Sequence, residues 1–236
     1  MALFRRNTAV EDDEERSSLL GRIIRYLCYA LILALYLLFF WRMCTRGDTA
    51  LAKSYCWTDA GRTAYNESGG AMAVYQIDPV SEIGEATTKK KNSFAFGISS
   101  VYLTPAVSQL QFTLRYNDSM LTRLQAEYDL DAPPEGEAFV FVLADNLGTV
   151  YTEYQYLADE RNVNNYRRLV FEELSFGEEI TEYVVSVYYA GHVEIAKPLI
   201  TLSVWQAGTE LTPIEYSEPA RTALRPRPAY TAIQAN

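Results

Sequence analysis

Histidine is nearly missing from this chain: 236 residues contain one, His192. A histidine-built zinc site is therefore excluded, and no C-x-x-C pair or H-E-x-x-H segment offers another. His192 follows Gly191 in a turn between two strand patterns, where a surface turn residue is expected. The alternative is a general base served by a distant Ser and Asp. Cysteine is also scarce. Cys28, Cys44 and Cys56 are the full set, and none follows residue 56. The β-rich remainder is not a disulfide scaffold. Unpaired cysteines are expected, with a Cys44–Cys56 bridge or an intermolecular bond as the alternatives.

Glycine patterns that bind phosphate or position a nucleophile (G-x-G-x-x-G, G-x-x-x-x-G-K, G-x-S-x-G) are absent, so no cofactor is implied. No period of 20–50 residues repeats, which excludes a solenoid or propeller. Basic runs are limited to Lys89-Lys90-Lys91 in a polar stretch that reads as a solvated loop. The net charge of −9 falls after residue 25, because five arginines and five acidic residues cancel before it. An acidic chain without a basic stripe is a poor nucleic-acid binder.

What the chain does contain is one long apolar run. Tyr26–Trp41 reads YLCYALILALYLLFFW, without charge, between Arg25 and Arg42. Sixteen helical residues cover about 24 Å of a ~30 Å hydrocarbon core. Ile23 and Ile24 extend the run if Arg25 snorkels to the headgroups. Tyr26, Tyr29, Phe40 and Trp41 place rings near both ends, where amphipathic rings favour the interface. A buried core helix would carry a polar stripe, and this run has none. A cleaved signal peptide is the other alternative, with Ala50-Leu51-Ala52 as a small-residue site. The charged stretch RMCTRGD before that site, and the acidic block Glu11–Glu15, favour an uncleaved signal anchor. Lys and Arg counts barely set the orientation: Arg5, Arg6, Arg16, Arg22 and Arg25 precede the span, and Arg42, Arg46, Lys53 and Arg62 follow it. The expectation is a cytoplasmic tail over 1–22, a span over 23–42 embedded in the lipid bilayer, and the rest outside the cytoplasm.

Beyond the span, residues 43–92 read as a stalk or linker with one strand at Ala71–Ile77. Residues 93–206 carry repeated short β patterns. Val107–Tyr116 alternates: Leu110, Phe112, Leu114 and Tyr116 share one face, and Gln109, Gln111, Thr113 and Arg115 the other, which predicts one face in water. Ala138–Leu143 is apolar on both faces and belongs centrally. Asp145-Asn146-Leu147-Gly148 supplies a turn, and Val150–Leu157 a partner strand. Further strands are expected at Phe94–Leu103, Tyr166–Leu174, Tyr183–Tyr189, Val193–Ala196 and Leu199–Trp205, with a bend at Pro198. One helix interrupts them, capped by Asp118-Ser119 with Met120, Leu121, Leu124 and Tyr128 as its apolar stripe. The fold class is mainly β: one N-terminal transmembrane helix, then an immunoglobulin-like β-sandwich with a short inserted helix. Residues 207–236, with Arg225-Pro226-Arg227-Pro228, form an extended or disordered tail.

Two residue groups are candidates for function. Asp129, Asp131, Glu135 and Glu137 surround Pro133-Pro134 and form either a calcium site or a solvated acidic loop; the spacing is not that of an EF-hand. Tyr151, Tyr154, Tyr156, Tyr166, Tyr183, Tyr188 and Tyr189 fall on both strand faces. Some must be core, because strands favour Tyr, and those left outside would make an exposed aromatic surface for another protein. Asn66-Glu67-Ser68 and Asn117-Asp118-Ser119 are glycosylation acceptors in a eukaryotic source. Glu15 to Leu20 fits an acidic di-leucine pattern and also the start of the membrane helix. The expected function is a single-pass membrane-anchored interaction or structural module, without catalysis. The alternatives are an extracytoplasmic ligand- or stress-sensing module and a carboxylate-based hydrolase.

Overall fold

The structure, a computed structural model, describes residues 5–45, 55–80, 85–86, 96–117, 119–127, 129, 137–160, 165–215, 223–229 and 232–233. The chain divides into two compact units, 1–46 and 47–236. The first is a single helix, α1 (Arg5–Thr45). Within it Gly21–Trp41 is long and apolar enough to cross a membrane, with none of that window buried. Anchors and signal sequences share this property.

The second unit is mainly β, built from β1 (Tyr75–Ile77), β2 (Glu85–Ala86), β3 (Gly97–Thr104), β4 (Gln109–Tyr116), β5 (Phe139–Asp145), β6 (Val150–Tyr151), β7 (Gln155–Asp159), β8 (Asn165–Phe171), β9 (Glu182–Tyr189), β10 (Val193–Glu194), β11 (Ile200–Gln206), β12 (Thr212–Pro213), β13 (Arg225–Pro226) and β14 (Ala232–Ile233). Two short helices join them, α2 (Asp59–Glu67) and α3 (Ser119–Glu127). One antiparallel sheet has seven strands in the order β12-β1-β3-β4-β8-β7-β13, the other five in the order β2-β11-β9-β5-β6. β10 and β14 pair in parallel beside them.

The alternation of β4 sets the inner layer. Leu110, Phe112 and Leu114 are fully buried, facing Phe139, Phe141 and Leu143 of β5 and Val185 and Val187 of β9 within one core. Rings bridge the sheets: Tyr116 meets Phe139 at 4.8 Å, and Tyr154 meets Phe141 at 5.7 Å. Edge-on geometry of this kind adds to the burial itself. At α3, Leu121 packs against this core; Asp118 and Tyr128 lie outside the described residues.

Two expectations need correction. The polar face of β4 is not in water. Gln109, Gln111 and Thr113 are fully buried, and only Arg115 is exposed. Gln109 and Gln111 are covered by the segment that begins at Tyr55, which the sequence pattern reads as stalk. Trp57, Met72, Val74 and Tyr102 form a second cluster there, with Tyr55, Tyr65 and Ile214 against it. The long strand expected over Val150–Leu157 is split. Its start, β6, pairs with β5 in the smaller sheet, and its end, β7, pairs with β8 in the larger. The chain thus changes sheets at 152–154, and Gly148 (φ +86°) closes the turn before β6. The described parts of the tail, expected to be extended or disordered, are extended where they form β12 and β13, and both are docked. β12 pairs with β1 at one edge of the seven-stranded sheet, and β13 pairs with β7 at the opposite edge.

Candidate functional site

The polar layer on β4 shows how Tyr55–Val74 is held. Thr58 caps α2, its Oγ1 accepting from the Gly61 N–H at 3.0 Å, as hydroxyl caps do. The same Oγ1 accepts from Gln109 Nε2 at 3.0 Å. Gln111 reaches the backbone of Cys56 both ways: its Nε2 donates to the carbonyl at 2.7 Å, and its Oε1 accepts from the N–H at 3.1 Å. Tyr55 Oη donates to Gln109 Oε1 at 3.1 Å. Arg168 on β8 is fully buried in this layer, 4.9 Å above the Tyr102 ring and bonded to Ser100 Oγ. Burial pushes its pKa down, and pushes the Cys56 thiol up despite Arg168. Cys56 is a free, buried thiol, a poor nucleophile by that environment. This layer is structural.

A cleft opens beside it, where β7, β8 and β13 meet. It encloses about 410 Å³ between Glu153, Tyr154, Gln155, Val170, Glu172, Glu173, Pro226 and Arg227. Body and tail build it together. Arg227 donates its backbone N–H to the Tyr154 carbonyl at 3.1 Å. Its guanidinium places Nε and Nη2 at 2.9 and 2.7 Å from Glu153 Oε1. Arg227 thereby holds the Glu153 carboxyl below the usual range. Deeper in, Glu172 accepts from Gln109 Nε2 at 3.0 Å and Gln155 Nε2 at 3.4 Å. Glu173 is exposed and sits at φ +59°, a left-handed conformation uncommon for a residue with a Cβ. The cleft is an acidic recess with one arginine laid into it.

The residues expected to carry function fall elsewhere. Glu137 is buried and pairs with Arg167 Nε, while Arg167 Nη2 reaches Glu160 at 3.0 Å. It fastens the approach to β5 to β8 and so ties the two sheets at one end. Asp129 is exposed at φ +54°; Asp131 and Glu135 lie outside the described residues. No group of three His, Cys, Asp or Glu among the described residues could hold a metal ion. His192 is half-buried, its N–H bonded to the Tyr189 carbonyl at 2.9 Å, and it is not among the residues that line the cleft. The tyrosine surface is the further correction. Tyr154, Tyr156, Tyr166, Tyr183, Tyr188 and Tyr189 are all buried, leaving Tyr151 half-buried. Tyr188 lies on the outer face of β9, but Val140, Val142 and Val193 enclose it. Asn66 is exposed in the last turn of α2, and Lys89–Lys91 fall outside the described residues.

Comparison with known proteins adds no relative: no family model, curated protein or solved structure matches the chain. The cleft residues Glu153, Glu172, Glu173 and Arg227 escaped the sequence reading. The acidic pair Glu172-Glu173 at a strand end and the R-P-R-P run that begins at Arg225 are the available signals, more than 50 residues apart and without a pattern to join them.

Proposed function

We propose that this chain is a single-pass membrane-anchored β-sandwich that works as a protein-interaction or structural module outside the cytoplasm. The observation that carries the reading is the apolar Gly21–Trp41 window with none of its surface buried. Twenty-one helical residues rise about 31 Å, the thickness of a bilayer core. The charged residues between this window and Ala50-Leu51-Ala52 favour an anchor over a cleaved signal. An immunoglobulin-like arrangement of the second unit is part of the proposal, supported by two antiparallel sheets around one shared core.

Full-length protein in native membranes tests the anchor and its orientation. It should resist carbonate extraction, and protease added outside should remove the β unit and spare a short amino-terminal piece. Release by carbonate would sink the anchor. Digestion of residues 1–22 with the β unit protected would reverse the orientation. The acidic cleft supports a second reading, a module that senses a cationic ligand, and stoichiometric recovery of a protein partner in detergent favours the first over it.

A further inference from the structure

The tail laid along β7 resembles a bound peptide more than a strand of the sheet. β7 is paired on one side along its whole length, from Gln155 with Val170 to Asp159 with Tyr166. On its other side the tail pairs only at Tyr156 and Gln155. Among the described residues no strand pairs with Leu157 or Ala158 on that side. The tail's pairing is short. It spans two residue pairs, followed by the Arg227 N–H on the Tyr154 carbonyl. Pro226 and Pro228 alternate with Arg227 and so fall where an extended strand's N–H would point away from β7. Arg225 and Pro226 are exposed, and Arg227 pairs with the solvent-exposed Glu153. The recess is larger than that fastening uses: Glu172 and Glu173 line it as well.

From the half-open edge, the acidic recess and the arginine seated in it, we propose that β7 and its cleft form a docking site for an extended Arg-Pro segment of a partner protein, which the chain's own residues 223–229 occupy as a competitor. The partner would add a strand to β7 by main-chain hydrogen bonds, as edge-binding peptides do. Its arginine would take the place of Arg227 against Glu153, and its length beyond the R-P pair would cover Leu157 and Ala158. Proline at alternate positions suits this edge, because a Pro-rich segment is already extended and loses little entropy on docking. The attached tail competes at an effective concentration on the order of millimolar, so the site is shut until a longer or more concentrated segment displaces it. This inference deepens the protein-interaction reading and rests on it.

The test uses the full chain in detergent and a fluorescent peptide with the sequence of residues 223–229, read by anisotropy. Arg227→Glu places two carboxylates together and should free the tail; this variant should bind the peptide at least ~10-fold more tightly than the unaltered chain, as removal of a tethered competitor requires. Glu153→Arg should free the tail too, but should bind only a peptide carrying Glu in place of its second arginine. The double variant E153R/R227E restores the clamp with reversed charges and should return peptide binding to the weak level of the unaltered chain. Equal peptide affinity in the unaltered chain and R227E, or binding indifferent to the charge at residue 153, would overturn the proposal. Unchanged circular dichroism and melting keep a folding defect from imitating either result. The membrane experiments above do not involve the cleft, so failure here leaves the anchor standing and failure there leaves the cleft intact.

Discussion

Two neighbouring residues of β4, Phe112 and Gln111, are both 0% exposed, and they are buried by opposite physics. Phe112 lies between the sheets, stacked on Phe171 at 5.9 Å within a layer of apolar side chains. Its burial is driven by removal of apolar surface from water. Gln111 lies on the outer face, and its amide serves as a surrogate backbone for Cys56. It gains little from leaving water, but it makes burial of the Cys56 N–H and carbonyl tolerable. The inner layer tolerates any apolar set of the right volume, whereas the outer layer depends on matched donors and acceptors.

The largest effect expected is on the inner face. Phe112→Ala should cost roughly 3–5 kcal/mol in chemical denaturation, from lost transfer energy plus a cavity. Gln111→Ala should cost about 2–3 kcal/mol, because two buried groups of Cys56 lose their partner. A cost below about 0.5 kcal/mol, the value for an open surface site, would break the comparison and return this face to solvent.

A third, smaller effect sharpens the contrast at the rim. Asp145 closes the turn after β5, accepting from the N–H groups of Leu147 at 3.0 Å and Thr149 at 2.8 Å and from Tyr151 Oη at 3.3 Å. Burial pushes its pKa up, but the donors of Thr149, Leu147 and Tyr151 outweigh it and hold the carboxyl below its ordinary 3.8. A lowered carboxyl pKa means that the folded state prefers the charged form. Its stabilisation is full above the ordinary value and fades as pH falls through the lowered one. Asp145→Ala should cost about 1–2 kcal/mol at neutral pH. The difference between the two proteins should shrink as pH is taken down to about 2; a constant difference would remove the carboxylate from the account.

Much of the fold is legible in the sequence, and the reason is periodicity. Leu110, Phe112 and Leu114 alternate with polar residues and form the core as expected; Ala138–Leu143, apolar on both faces, becomes β5 between β9 and β6. The Asp-Asn-Leu-Gly turn places Gly148 where positive φ is required. What periodicity cannot carry is a polar contact between distant segments. Gln109 and Gln111 read as solvent-facing because their partners, Tyr55, Cys56 and Thr58, lie about 50 residues earlier in a stretch without alternation. The core reading of the strand tyrosines holds for six of the seven, and the exposed surface expected of the rest fails for a related reason: strand propensity favours Tyr without saying which face is covered, and the outer faces here are covered too. The cleft was invisible because half of it is tail. Nothing in R-P-R-P announces that Arg227 meets Glu153.

Tyr55–Ile77 belongs to the β unit and closes over Gln109 and Gln111 of β4. Amide hydrogen exchange on the full chain tests it directly. The Cys56 amide, bonded to Gln111 Oε1 at 3.1 Å, and the strand amides of β1 should exchange nearly as slowly as those of β4. Exchange across 55–77 at the rate of an unfolded chain, with β4 still protected, would contradict it and make the segment a stalk.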